Sequence, residues 1–264
     1  MSGSSINIET YSTIVVIPAN GYVTIRLNRP DAQNAINGTL LKELHYALKG
    51  IEEDDSIKVI VLEGGKNVFC TGMDFTALTD DVEGKLATND SQDYYDVLNY
   101  FSKGSKVIIS KVDGRVNAGG IGFVAASDIV IATDKSTFAL SEALFGLLPA
   151  CVLPFLVRRI GYQKALMMTL TTSTVSTSRA YEIGLVDIQT DNIDNELRKL
   201  LLRLTKLETQ TINGAKDYLS NLWILDERTE NLAVDTITRL ASSDKVQKNV
   251  KNYISTGRFP WDNK

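Results

Sequence analysis

The sequence predicts an α/β fold, and three observations carry that prediction. Val59–Glu63, Val107–Val112 and Asp128–Ala132 are apolar nearly throughout, the pattern of strands covered on both faces. Segments with helical spacing lie between them, and strands alternating with helices assemble as a sheet with helices packed on it. Two of the strands run on through a turn and a glycine into the start of a helix-like segment.

The bulk properties fit this class. A chain of 264 residues with 44% hydrophobic and 23% charged residues suits one large domain, or a domain with a small extension. The net charge of −4 gives no overall field to attract nucleic acid, and no nucleic-acid module is visible. Cys70 and Cys151 sit in apolar contexts and read as buried free thiols of a cytoplasmic protein. The single histidine, His45, argues against a histidine-based zinc site and against a Ser-His or Cys-His nucleophile; no metal is expected. There is no apolar run long enough to span a membrane.

Along the chain, residues 1–10 read as a disordered tail. Tyr11–Ile17 and Tyr22–Leu27 alternate as two strands, with Pro18-Ala-Asn-Gly21 turning between them. Thr39 can cap a helix through about Glu53, with Leu40, Leu41, Leu44, Leu48 and Ile51 on one face and His45 on the other. Thr79–Asp93 is polar and acidic and reads as a mobile surface segment. From about Asn195 the chain turns almost wholly helical. Leu197, Leu200, Leu201 and Leu204 form one apolar stripe, and Leu232, Ala233, Ile237 and Leu240 another. The expected division is a tail (1–10), an α/β core (11–194) and a helical region (195–264).

Three segments carry chemistry. In Val112-Asp-Gly-Arg-Val-Asn-Ala-Gly-Gly-Ile-Gly122, Gly119 and Gly120 fall at or near a helix N-terminus. Backbone N–H groups there lack intrahelical partners and favour negative charge, and glycine permits close approach. Tight strand–helix packing alone would account for this segment equally well. Val59 to Phe75 repeats the layout around Gly72 and Met73, and two such turns can aim two N–H groups at one oxygen. The third segment, Ser136 to Pro149, holds the lone carboxylate Glu142 between Leu140 and Ala143-Leu-Phe145. Buried there, it would have a raised pKa suited to moving protons; exposed, it would merely cap a turn.

These segments, in this order, resemble the crotonase family, the enoyl-CoA hydratase/isomerase superfamily. Leu27-Asn-Arg-Pro-Asp-Ala-Gln-Asn-Ala-Ile-Asn37 is similar to the family's opening motif, and Ser178-Arg-Ala-Tyr-Glu-Ile-Gly-Leu-Val-Asp187 to its later helix–turn–strand motif. The resemblance covers roughly residues 10 to 255, and five ordered motifs make it specific. It implies a spiral of ββα turns with a helical C-terminal trimerisation region, hence a homotrimer or hexamer. It implies an oxyanion hole from the N–H groups of Met73 and Gly119, a catalytic Glu142, a substrate pocket near Gly72, Gly120 and Gly122, and accessory roles for Asp74 and Asn117.

One departure stands out. The family's hydratases usually carry a second glutamate at the position of Gly122, where this chain can hold no carboxylate. Basic residues that would meet the phosphates of CoA are also missing from Asp31-Ala-Gln-Asn34 and Phe75-Thr76. That points to phosphopantetheine on an acyl carrier protein, with no other cofactor.

The wording from Val116 to Phe123 and from Ser141 to Gly161, with the ending Thr256-Gly-Arg-Phe-Pro-Trp261, resembles the dehydratases of polyketide β-branching cassettes. By that resemblance, 3-hydroxy-3-methylglutaryl thioester loses water to give 3-methylglutaconyl thioester. The alternatives are a CoA-linked hydratase or isomerase, the decarboxylase of the same cassette, and a noncatalytic assembly protein. Arg115, Lys103, Tyr94 and Tyr95 are candidates to hold the distal carboxylate, though each also fits a surface position. Arg158, Arg159 and Lys164, or Lys245, Lys248 and Lys251, could meet an acidic carrier protein.

Overall fold

A computed structural model describes residues 11–74, 88–222 and 226–262. The tail expected at 1–10 lies outside these residues. Two sheets organise the chain. The larger has six strands: β1 (Ile14–Ala19), β2 (Tyr22–Leu27), β3 (Val59–Glu63), β5 (Val107–Val112), β7 (Ile129–Ala132) and β10 (Ile188–Gln189), in that spatial order. Only β1 and β2 are antiparallel; the other neighbours run parallel. The smaller sheet holds β4 (Asn67–Cys70), β6 (Gly114–Asn117), β8 (Thr137–Ala139) and β9 (Val175–Ser176). Each long-sheet strand β3, β5 and β7 is thus followed by a short-sheet strand before the chain continues, giving the expected spiral of ββα turns.

The β1–β2 hairpin pairs Ala19 with Tyr22, so the turn is Asn20-Gly21, with Gly21 at φ +81°. Pro18 belongs to the strand, contrary to the sequence reading, because β1 is an edge where a missing N–H costs no ladder bond.

Helix α1 (Gly38–Glu52) starts one residue before Thr39. Its cap is Asn37, whose extended backbone lets the side chain accept from Leu40 N–H at 2.9 Å. His45 is exposed on its outer face. Helix α2 (Thr88–Lys103) corrects the reading of Thr79–Asp93: residues 88–93 are its first turns, and 79–87 lie outside the described residues. Ser91, Tyr95, Leu98, Phe101 and Ser102 form its buried face, a helical spacing that the acidic residues around Ser91 obscure.

Helix α3 (Gly119–Ala126) is buried along its whole length. Strand β6 separates it from β5, where the sequence suggested a direct strand-to-glycine junction. Gly114, at φ +144°, lets the chain turn sharply against Asn67. A 3-10 turn (Glu142–Phe145) precedes α4 (Leu153–Ile160), α5 (Tyr162–Thr171) and α6 (Thr177–Glu182).

Four helices complete the fold: α7 (Ile193–Leu204), α8 (Thr209–Leu222), α9 (Glu227–Ala241) and α10 (Asp244–Thr256). The Leu197–Leu204 stripe packs on the large sheet beside Val59, Val61, Ile109 and Ile131, so it is intramolecular core. In the second stripe Ala233 and Ile237 join the main core, while Leu232 stays 68% exposed. No helix among the described residues is long and apolar enough to cross a membrane.

Candidate active site

The two glycine turns meet. Ile36 donates its N–H to Gly72 C=O at 2.7 Å, and Asp74 donates to Ile36 C=O at 2.8 Å. Gly72 C=O and Asp74 N–H therefore face the Ile36 strand, which turns the N–H of Met73 to the opposite side. Beside this turn stands Gly119, the first residue of α3, whose N–H has no intrahelical acceptor. The contact is so close that a Cβ on Gly72 would lie 3.0 Å from the Gly119 nitrogen and 2.6 Å from the Ala118 Cβ. Gly72 sits at φ +91°, and Ala118 is held at φ +48°, a strained value for a residue with a side chain.

Met73, Ala118, Gly119 and Glu142 line one cavity, closed elsewhere by Tyr94 of α2, the Leu147–Val152 loop and Ile237 of α9. Ile237 reaches the cavity from the same chain.

Glu142 is 8% exposed, and its Oε2 finds no hydrogen-bond partner among the described residues. Desolvation pushes its pKa up to about 7, against a weaker downward pull from the backbone N–H groups of Glu142 and Ser141. The acid therefore sits where it can both take and return a proton near neutrality.

The remaining expected residues take different places. Asp74 is ion-paired to Arg29 at 2.8 Å, while Arg29 also donates to Ala35 C=O; this fastens the opening motif to the Met73 turn. Asn34, buried in the same motif, donates to Phe69 C=O at 3.1 Å. Neither Asp74 nor Asn117 lines the cavity. Gly72, Gly120 and Gly122, expected in the pocket, serve packing. Gly72 supports the two turns, and Gly120 lies against Cys70, where a Cβ would come 2.6 Å from the Cys70 carbonyl oxygen. Gly122 faces Tyr94, with no room for a side chain between them.

Tyr94 and Tyr95 are buried, which corrects the surface alternative, whereas Arg115 and Lys103 are exposed. The Tyr94 hydroxyl donates to Gly119 C=O, and its ring meets Phe123 edge-on at 5.7 Å. Burial, with lesser contributions from Cys151, Cys70 and Glu142, pushes its pKa well up, so it stays a neutral phenol.

Both cysteines are free and buried, with thiol pKa values pushed up to about 12 by desolvation. No cluster of three metal-ligating residues occurs among the described residues. Arg159 donates to the Ser127 and Leu185 carbonyls and pairs with Asp187, while Arg158 donates to Ser102. These two arginines tie elements together, whereas Lys164 on α5 and Lys245, Lys248 and Lys251 on α10 are exposed.

Comparison with known proteins shows the family. The enoyl-CoA hydratase/isomerase family profile matches residues 18–264. The chain is 41% identical over 257 residues to the bacillaene synthase dehydratase PksH of Bacillus subtilis, covering 97% of this chain and 99% of that protein. It is 32% identical over 178 residues to a 4-chlorobenzoyl coenzyme A dehalogenase of Arthrobacter, covering 66% and 64%. The crystal structure of Bacillus subtilis PksH superposes with a TM-score of 0.90 and 41% identity, over 95% of this chain and all of that one. An enoyl-CoA hydratase from Mycobacterium avium superposes at 0.83 with 26% identity, over 96% of this chain and all of that one. The chain belongs to the enoyl-CoA hydratase/isomerase family.

Proposed function

We propose that this protein is a dehydratase that removes water from 3-hydroxy-3-methylglutaryl thioester on an acyl carrier protein, giving 3-methylglutaconyl thioester in polyketide β-branching. The observation that carries the reading is the buried carboxylate of Glu142, whose Oε2 has no hydrogen-bond partner among the described residues, in one cavity with Met73 and Gly119. Similarity to a polyketide-pathway dehydratase along nearly the whole chain supports the hydro-lyase class.

The chemistry follows from charge. The Met73 and Gly119 N–H groups receive the thioester oxygen. Glu142, as carboxylate, takes the α-proton, and the C–H electron pair moves into the enolate. That pair then forms the Cα=Cβ bond as the β-oxygen leaves. Glu142 returns its proton to that oxygen, so water departs and the carboxylate is restored. Backbone donors aimed at the developing oxyanion contribute about 2.7–4 kcal/mol each. Decarboxylation would need no base, so a base-ready Glu142 favours dehydration over the sister reaction.

The carrier protein is read as docking on the Lys245, Lys248 and Lys251 face. The working form is a homotrimer or a dimer of trimers, supported by the exposed Leu166 and Leu170 of α5 and Leu219 and Leu222 of α8. The test is mass-spectrometric detection of water loss from the carrier-bound substrate beside its free CoA thioester. Faster turnover of the carrier-bound form is expected. Equal or better turnover of the CoA thioester would favour the CoA-linked alternative.

A further inference from the structure

Position 122 and Tyr94 compete for one space. A Cβ at residue 122 would fall on the Tyr94 hydroxyl and come 3.0 Å from the ring carbon that bears it. Tyr94 lines the cavity beside Met73, Gly119 and Glu142, and Phe123 holds its ring. The side chain missing at 122 is thus replaced by a phenol arriving from another helix. Glu142, whose Oε2 has no hydrogen-bond partner among the described residues, lines the same cavity.

We infer that Tyr94 is a catalytic residue whose hydroxyl donates a hydrogen bond to the leaving β-oxygen. This rests on the dehydratase reading above. The Tyr94 hydroxyl turns from Gly119 C=O toward the substrate and keeps its proton throughout. Glu142 supplies the proton that completes the water molecule, so the atoms balance without any other acid. A neutral donor also suits a substrate with a distal carboxylate, which a second glutamate would repel.

The test compares Tyr94→Phe with wild type in two assays. The first is dehydration of the carrier-bound 3-hydroxy-3-methylglutaryl thioester. The second is exchange of the α-proton into D2O for 3-methylglutaryl thioester on the same carrier, which has no hydroxyl to lose. Tyr94→Phe should slow dehydration about a hundredfold while α-exchange stays within about twofold, since enolate formation uses only Glu142 and the backbone donors. Equal dehydration by both proteins overturns the role. Parallel loss of both activities also overturns it, because Tyr94 would then only hold the Gly119 turn in place. A wild-type protein that exchanges the α-proton but eliminates nothing sinks the dehydratase reading, and this role with it.

Discussion

The two sides of the cavity are built by opposite means. On one side, Met73 and Gly119 line it from turns that follow strands of the small sheet, fixed by an approach too close for a side chain at Gly72. On the other, Glu142 presents a side chain from a short 3-10 turn held from behind by residues about a hundred positions later. Phe145 of that turn meets Tyr253 at 5.1 Å, Tyr253 meets Phe259 at 5.1 Å, and Phe259 stacks on Trp261 at 5.1 Å. Asn249 adds a hydrogen bond to Phe145 C=O at 3.3 Å. The difference is one of control. The Met73–Gly119 side depends on local backbone shape and on what is absent, while the carboxylate side depends on burial and remote packing.

Four experiments set the two sides against each other. Glu142→Gln keeps the shape and removes the base, so dehydration should fall by about a thousandfold or more in single-turnover assays, with the melting temperature preserved or raised. Retention of most wild-type turnover would take Glu142 out of the chemistry. Gly72→Ala attacks the opposite side. The added methyl would press on Ala118 and the Gly119 nitrogen, and loss of one donor should lower kcat about a hundredfold, with little change in KM. Turnover near that of wild type would show that the two turns do not act as one hole.

The third experiment uses pH. With its pKa raised from 4.5 to about 7, Glu142 holds a proton in the folded state that the unfolded chain releases. Stability should therefore fall as pH rises from 4.5 to 7, and the penalty persists above 7. Glu142→Gln lacks this term, so it should gain stability over wild type by up to about 3 kcal/mol between pH 5 and 8. Denaturant unfolding at the two pH values measures this, and a constant difference would place the carboxylate in water. Wild-type kcat/KM should in turn rise about tenfold per pH unit below 7 and level off above it.

The smallest effect belongs to the remote packing. Phe259→Ala removes a partly exposed ring and should cost about 1 kcal/mol of stability. It should also lower kcat a few-fold by loosening the Glu142 turn. Unchanged kcat with lower stability would mean that the turn holds its shape without the aromatic residues behind it.

Much of this was legible in the sequence, for identifiable reasons. Apolar runs announced β3, β5 and β7 because both faces of these strands are covered. Gly119 and Met73 could be picked out because backbone chemistry leaves a glycine signature, and Glu142 because a carboxylate among apolar neighbours is anomalous. What stayed hidden depends on contacts across the chain. Nothing local tells that Arg29 fastens Asp74, or that Gly120 and Gly122 face Cys70 and Tyr94 rather than open space. Tyr94 was picked out only as a candidate to hold the distal carboxylate, and the acidic residues before it hid the first turns of its helix, although Ser91, Leu98 and Phe101 carry the helical spacing. The absence of a side chain at 122 was the available clue, and it needed a fold to show what fills the gap.

The aromatic stack behind Phe145 also bears on how the protein is made. Chain emerging from a ribosome can pair β3 with β5 and bring the Gly72 and Gly119 turns together while the later helices are still being synthesised. The aromatic contacts behind the Glu142 turn form only once Tyr253, Phe259 and Trp261 have been made. A nascent chain thus holds the Gly72 and Gly119 turns before the rings that back Glu142 exist, so the two sides of the cavity are completed at different points of synthesis.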